Sequence, residues 1–282
     1  MSLFVPRIPQ FNYVTGNVLT TRPSATLGTA VTPGNNSYGS YTEVLSDTNV
    51  TKDCYGILIC VHALATATAA KDALCTIGID TSGGTSYADF IQHLIVSCAY
   101  PYTTSPGGHW YYFPVFIPAG TAIAAKGSVN NATPGTFRVI VQLLGAPSDP
   151  ASLKYGYGVE TIGAVTASSK GTAVTSGTTS EGAWTSLGTT TRNCFAWQYG
   201  MGVSDSTMAA LVYHADLSYG NGTNQVIIGQ DKPYYSSTSE QLGGALDLDH
   251  YCDVPTGATI YGRLQCSGTA DSSLSMAAYG VF

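Results

Sequence analysis

The strongest constraint on the fold is a sequence segment that occurs twice in the chain. Residues 28–42 read GTAVTPGNNSYGSYT and residues 171–185 read GTAVTSGTTSEGAWT, so nine of the fifteen aligned positions are identical. Because one match in a chain rich in Gly, Ser and Thr could be chance, the test is whether the alignment continues. Two further pairs continue it in the same order: TKDCYG and TRNCFA at 51–56 and 191–196, and IPAGTAIAAKGSV and VPTGATIYGRLQC at 117–129 and 254–266.

Aligned segments in a fixed order indicate an internal duplication. Each copy has the size of an ordinary domain. The predicted organisation is an N-terminal arm at 1–27, a first unit at 28–145, a linker at 146–170 and a second unit at 171–282. We expect the arm to reach onto a neighbouring subunit, with a frayed terminus as the alternative. The linker contains YGYG, which predicts a flexible spacer.

Hydrophobic alternation predicts strands in both units. Residues 136–144 place Phe137, Val139 and Val141 on one face, and residues 259–266 alternate in the same way. Pro and Gly turn signals separate about seven or eight such runs per unit. The predicted fold is all-β, with two tandem jelly-roll-like β-sandwich domains. A short helix is a candidate at Leu64 to Leu74, with a loop as the alternative.

The chain is poor in charge. Charged residues make up 10% of the sequence and the net charge is −6, against roughly 25% charged residues in a typical globular chain. We therefore expect neither nucleic-acid nor membrane binding, since both need clustered Lys and Arg. An uncharged surface suits either an isolated β-protein or a subunit covered by its neighbours. Nineteen tyrosines favour the second interpretation, because interface cores are depleted in charge and rich in Tyr.

The first residues, MSLFVPRIPQF, lack the charged and then apolar segments of a signal peptide. No run approaches the roughly 18 apolar residues of a membrane helix. We therefore expect synthesis in a cytoplasm.

Seven cysteines cannot all pair within one chain, because the number is odd. No CxxC pair and no zinc-finger spacing is present. Buried free thiols are the favoured interpretation. The alternative is a disulfide between subunits formed after release from the cytoplasm, and its candidates are Cys54, Cys194 and Cys252.

Motifs for catalysis or cofactor binding are missing from the sequence, which has no GxSxG, P-loop, GxGxxG or HExxH. Asp247, Asp249, His250 and Asp253 form one local acidic cluster, which suits a Ca²⁺ or paired-carboxylate site or, as we favour, a solvated loop. The corresponding stretch of the first unit, at 109–116, has no carboxylate. We therefore predict no enzyme activity, no cofactor and no metal.

Aromatic side chains are the remaining candidates for a binding site. Trp110, Tyr111 and Tyr112 are consecutive, and Tyr234 and Tyr235 are adjacent. Such rings suit a protein interface or stacking on a sugar when they are exposed. Burial in the sandwich core is the alternative.

Two segments of the first unit, IGIDTSGG at 77–84 and FIPAGTAIAAK at 116–126, resemble β-sandwich virion proteins of tailed bacteriophages. The second unit shares only PTGATI at 255–260. The resemblance implies a multi-copy structural protein of capsid decoration, neck or collar, or tail. It would be located in the virion and contact itself and other virion proteins. The alternatives are a carbohydrate- or receptor-binding virion protein, with a host surface glycan as partner, and a double jelly-roll major capsid protein.

Overall fold

The computed structural model of the chain is built from strands. A 3-10 turn at Asp47–Asn49 is the only helical element among the residues described, and none of those residues forms a helix able to cross a membrane. The N-terminal arm, Asp247 and Asp249 lie outside the described residues. The structure describes residues 28–65, 71–98, 109–129, 136–145, 154–163, 166–203, 211–221, 223–236, 242–244, 250–268 and 274–282.

The first unit folds into two facing sheets. One sheet has the order β1-β9-β4-β7, and the other has the order β2-β8-β5-β6 with β3 also paired to β8. The strands are β1 Thr29–Val31, β2 Gly34–Asn35, β3 Thr42–Leu45, β4 Cys54–Ala65, β5 Lys71–Asp80, β6 Ala88–Cys98, β7 His109–Phe113, β8 Ala122–Val129 and β9 Thr136–Gly145.

The second unit also folds into two sheets. One has the order β10-β20-β14-β18 with β11 also paired to β20, and the other has the order β12-β19-β15-β16-β17 with β13 also paired to β19. The strands are β10 Val159–Ile162, β11 Thr172–Val174, β12 Ser176–Thr178, β13 Thr185–Thr189, β14 Cys194–Val203, β15 Val212–Gly220, β16 Gln225–Ser236, β17 Leu242–Gly244, β18 His250–Val254, β19 Thr259–Cys266 and β20 Leu274–Val281.

The two units share one topology. Replacing each strand of β1-β9-β4-β7 by its counterpart gives β11-β20-β14-β18, and β3-β8-β5-β6 becomes β13-β19-β15-β16. Eight strands in two sheets of these orders form a jelly roll. The chain is therefore an all-β protein of two tandem jelly-roll-like sandwiches, and the fold class that the sequence predicted is confirmed.

Glycines explain why the chain repeats this segment. A Cβ on Gly34 would lie 2.4 Å from the carbonyl oxygen of Ser37, and a Cβ on Gly177 would lie 2.1 Å from that of Ser180. Gly34 lies in β2 and Gly177 in β12, the strands that begin just after the chain has left the sheet of β1 or β11 for the other sheet. Only a residue without a side chain fits such a close approach of the backbone. The glycines of the repeated segment therefore allow the same passage from one sheet to the other in both sandwiches.

The helix proposed at Leu64 to Leu74 is wrong in the residues that the structure describes. Strand β4 continues to Ala65, and β5 begins at Lys71. Ala65 of β4 pairs with Thr136 of β9, and Ala73 and Leu74 of β5 pair with β6 on one side and β8 on the other. Pairing on both sides outweighs the helix propensity of Ala, which is a weak local preference.

The two sandwiches pack directly against each other through tyrosines. The Tyr279 hydroxyl accepts a hydrogen bond from the Ile95 N–H at 2.8 Å and donates to the His93 carbonyl at 3.0 Å. The Tyr111 hydroxyl donates to the Ile95 carbonyl, and the Tyr111 and Tyr279 rings meet edge to face at 5.5 Å. Because β6 is the last strand of its sheet, these hydroxyls satisfy backbone groups that no strand pairs.

Apolar packing surrounds these hydrogen bonds. The buried core of the first unit takes in Ala196, Ala277, Tyr279 and Val281 of the second unit. Removing this much apolar surface from water is the main favourable contribution to such contacts. The two sandwiches therefore share part of one core.

The segment predicted as a flexible linker is partly structured. Strand β10 pairs with β20, and just before it the Gly156 N–H donates to the Pro114 carbonyl while the Tyr157 N–H donates to the Phe282 carbonyl, both at 2.8 Å. A Cβ on Gly156 would lie 2.4 Å from that Phe282 oxygen. The glycine therefore serves close packing here, and the flexible-spacer prediction is wrong for residues 154–163.

Replacing Tyr279 by Phe tests the contact between the sandwiches. The Tyr279→Phe variant keeps the ring but leaves the Ile95 N–H and the His93 carbonyl without their partner, so we expect a loss of about 2 kcal/mol in the free energy of unfolding. Urea denaturation measures it. The exposed control Tyr157→Phe should change the stability by less than about 0.5 kcal/mol. Equal stability of the Tyr279→Phe variant and the wild type would contradict the proposed weight of this contact.

Candidate functional site

The aromatic residues predicted as a binding site divide into buried and exposed. Tyr111, Tyr112 and Tyr234 are 1%, 8% and 3% exposed, whereas Tyr235 is 53% exposed. Trp110 is half-buried. The binding-site prediction is therefore wrong for the three buried tyrosines, because the sandwich cores and the contact between the units cover them. It remains a prediction for Trp110 and Tyr235.

The cysteines predicted to join subunits are mostly interior. Cys54 and Cys194 are buried, and Cys252 is half-buried. Burial raises the pKa of the Cys54 thiol to about 11 and that of the Cys194 thiol to about 12. A disulfide needs an accessible thiolate, so Cys54 and Cys194 are unsuited to bridging subunits in the folded chain. Of the three candidates, Cys252 alone remains.

The acidic cluster contributes two described residues, and both contact other side chains. Asp253 pairs with the Lys154 ammonium group at 2.6 Å, and the His250 ring lies 5.5 Å from that of Tyr199. Among the residues that the structure describes, no group of three His, Cys, Asp or Glu side chains is placed to hold a metal ion.

A cavity of about 300 Å³ opens where the two units meet. On its wall the Glu160 carboxylate accepts the backbone N–H groups of Thr191 and Arg192, at 2.7 and 3.2 Å. The Arg192 guanidinium lies 5.2 Å from the centre of the Phe282 ring. These groups are engaged with the protein itself, so we do not place the functional site here. The cavity is lined by Gln92, His93, Val159, Glu160, Thr161, Thr191, Arg192 and Phe282.

The hairpin formed by β15 and β16 exposes large apolar side chains. Val226 is 49% exposed and Ile227 39%, near one end of the hairpin. Val212 at 40% and Tyr235 at 53% form a cross-strand pair at the other end. We call these four residues the apolar hairpin surface. Exposed large apolar side chains that occur in pairs, rather than scattered singly, are candidates for contact with another chain.

The first unit carries small or polar residues at the same positions. Ile227 pairs with Ser218 in the β15–β16 hairpin, and the corresponding pair in the β5–β6 hairpin is Asp89 with Gly78. The neighbouring Val226 corresponds to Ala88. By the same register, Val212 and Tyr235 correspond to Asp72 and Ser97. Sequence reasoning named Tyr235 but missed the other three residues, although aligning the two hairpins would have marked their positions.

The outer edges of the two hairpins also differ. Pro233 of β16 takes the register position that Ile95 occupies in β6. The Ile95 N–H is the donor to Tyr279, and a proline has no N–H. The second hairpin therefore cannot repeat the contact through which the first one packs against its neighbour.

A bulge beside the contact between the units is also duplicated. His93 and Asp231 have left-handed φ angles of 57° and 54°. The backbone N–H of His93 donates to the Thr76 hydroxyl, and the ring Nδ1 of His93 lies 2.7 Å from the Tyr38 hydroxyl. Burial lowers the pKa of His93, with the Asp89 carboxylate opposing this effect and Lys126 reinforcing it. The imidazole is therefore neutral in the folded protein at neutral pH.

No protein-family model and no curated protein matches the chain. Among solved structures, PNGF-II aligns with 94% of the chain in two crystal forms, at 6% identity and TM-scores of 0.36 and 0.35. The chain covers 66% and 65% of those chains. The N-terminal CBM22-1-CBM22-2 tandem domain of Paenibacillus barcinonensis Xyn10C aligns with 92% of the chain, and 98% of that domain is covered, at 10% identity and a TM-score of 0.23. Similarity at this level carries no information about function.

Thiol labelling tests the placement of the cysteines. With iodoacetamide at pH 8, Cys252 should react at least about tenfold faster than Cys54 or Cys194, because burial suppresses both thiolate formation and access. Peptide mass spectrometry identifies the labelled positions. In urea the three rates should become similar. Fast labelling of Cys54 in the folded chain would contradict the structure.

The buried imidazole predicts a dependence of stability on pH. Because the folded-state pKa of His93 is lowered, the unfolded chain takes up the proton first. The contribution is complete above the unfolded pKa of about 6.5 and is lost as the pH falls below it. A His93→Asn variant keeps a residue that tolerates the left-handed conformation. Its free energy of unfolding should fall less steeply between about pH 6.5 and 5, and a slope equal to that of the wild type would refute the assignment.

Proposed function

We propose that the chain is a structural protein of a bacteriophage virion. It is present in many copies and acts by binding copies of itself and other virion proteins, in capsid decoration, the neck or collar, or the tail. The observation that carries the proposal is the apolar hairpin surface. The second unit places large apolar side chains there, whereas the first unit has Ala, Asp, Asp and Ser.

The composition supports a surface that is covered in the working state. Charged residues make up 10% of the chain, and the centres of protein interfaces are depleted in charge and enriched in aromatic residues. The virion is the setting that the resemblance at 77–84 and 116–126 favours. No step of the proposed role requires catalysis.

The duplication gives one chain two similar modules held together by a shared core. A subunit of this kind can contact two equivalent neighbours in a ring or a shell. The matching topologies of the two jelly rolls favour a second candidate, a double jelly-roll major capsid protein. That candidate requires self-assembly into closed shells without another coat protein, and electron microscopy of the purified chain distinguishes the two.

Restoring the residues of the first unit tests the apolar hairpin surface. In a double variant, Val226→Ala with Ile227→Asp, the hairpin takes the residues found at Ala88 and Asp89. We expect the wild type to form oligomers and the double variant to approach the 29.3 kDa of one chain, because a buried Asp without a partner opposes association. Light scattering at several concentrations, with and without reductant, measures the mass.

The control for this experiment is Tyr157→Ala, which removes an exposed ring outside the hairpin and should leave the oligomeric mass unchanged. A wild type that is a single chain at high concentration would refute the proposed function. Oligomers of unchanged mass in the double variant would refute the role of the hairpin.

A further inference from the structure

Four aromatic rings meet on the surface where the first unit joins the second. The Tyr55 ring lies 4.9 Å from Tyr155 and 5.4 Å from Phe116, measured between ring centres. Tyr157 lies 5.8 Å from Tyr155 and 6.1 Å from Phe116. Tyr157 is 70% exposed, and the other three are half-buried. We call these four residues the aromatic strip.

The backbone holds the rings of the strip in place. The Phe116 N–H donates to the Gly156 carbonyl at 2.9 Å, and the Gly156 N–H donates to the Pro114 carbonyl at 2.8 Å. The Tyr157 N–H donates to Phe282 at 2.8 Å. A surface that is ordered before binding loses less conformational entropy when a partner arrives. The strip is therefore suited to weak ligands that offer few contacts.

The second unit continues the aromatic surface. Phe195 follows the shared cysteine just as Tyr55 does in the first unit. Lys154, next to Tyr155 in the chain, places its ammonium group 4.6 Å from the centre of the Phe195 ring and pairs with Asp253. Tyr251, which is 54% exposed, stacks on Phe195 at 6.5 Å. The second sandwich therefore presents aromatic rings of its own, and Lys154 contacts one of them while adjoining Tyr155 of the strip in sequence.

The chemistry of this surface is neutral and amphipathic. The charged pair that lies on it, Lys154 and Asp253, carries no net charge, so the surface does not select a polyanion or a polycation. The face of an aromatic ring carries partial negative charge and attracts polarised C–H groups. Tyrosine hydroxyls and the exposed ion pair can exchange hydrogen bonds with ligand hydroxyls. Sugar rings offer both kinds of group.

We propose that the aromatic strip binds a neutral oligosaccharide. This activity goes beyond the proposed structural role and does not rest on it, because the assembly surface lies on the β15–β16 hairpin. This site is separate from Trp110 and Tyr235, the two rings for which the sequence-based binding prediction remains, and it is centred on Tyr157.

The test uses the full chain and a panel of neutral hexasaccharides of glucose, mannose, galactose and N-acetylglucosamine, with affinities from isothermal titration calorimetry. We expect at least one to bind with a Kd below about 1 mM. Tyr157→Ala should weaken that binding about tenfold, and Tyr157→Phe, which keeps the ring face, should recover most of it. Tyr87→Ala is the control, because Tyr87 packs on Tyr41 at 5.4 Å and the two rings directly precede β6 and β3 of the other sheet of the first unit.

Three results would overturn the proposal. One is the absence of binding by any of the hexasaccharides at about 1 mM. Another is unchanged affinity in Tyr157→Ala, or an equal loss in Tyr87→Ala. The third is a lower oligomeric mass of Tyr157→Ala, which would assign the strip to contact between copies of the chain. The hairpin double variant should keep its sugar affinity, so failure of the assembly proposal and failure of this one are distinguishable.

Discussion

The architecture depends on the hydrogen bonds that the backbone at the edge of β6 makes with buried tyrosine hydroxyls. The last strand of a sheet leaves N–H and C=O groups without a strand partner, and such groups are costly to bury unless another donor or acceptor reaches them. Here the Tyr279 and Tyr111 hydroxyls bind the backbone of Ile95 and His93. The two buried tyrosine hydroxyls and the backbone groups at this strand edge are therefore each other's hydrogen-bond partners. This mutual dependence makes two copied modules one packed molecule.

The same contact makes the two copies unequal. The β6 edge of the first hairpin is covered by the neighbouring sandwich around Ile95, whereas the β15–β16 hairpin exposes Val226 and Ile227. A duplication begins with two identical surfaces. One of them then becomes internal, and the other is free to acquire a separate role. At one register position that is exposed in both copies, the first copy has Asp89 and the second has Ile227, so only the second presents an apolar side chain there.

Local patterns were sufficient to predict the fold class. The alternation at 136–144 and 259–266 needs no knowledge of distant residues, and those segments are β9 and β19. The repeated segment predicted two copies of one sandwich because its glycines impose the same close backbone approach wherever they occur. The thiols of Cys54 and Cys194 are buried and free, as the favoured interpretation had it.

Exposure could not be predicted in the same way, because it depends on which elements pack together in three dimensions. Tyr111 and Tyr235 are both aromatic strand residues. Tyr111 is buried where the two sandwiches pack together, whereas Tyr235 is exposed to solvent. The glycines on either side of Tyr157 predicted a flexible spacer. The prediction failed because glycine is used both in flexible segments and where two backbones pack closely. The aromatic strip follows from long-range contacts, and the full apolar hairpin surface follows from strand register and measured exposure.

Pro233 limits how another sandwich could pack against the second one. Because it stands where Ile95 stands in the first copy, a third sandwich added after the second would meet an edge without the amide needed for docking. The second copy therefore cannot be docked through the backbone amide that the first copy uses at Ile95. A partner that packs on this edge has to be held there mainly by side-chain contacts.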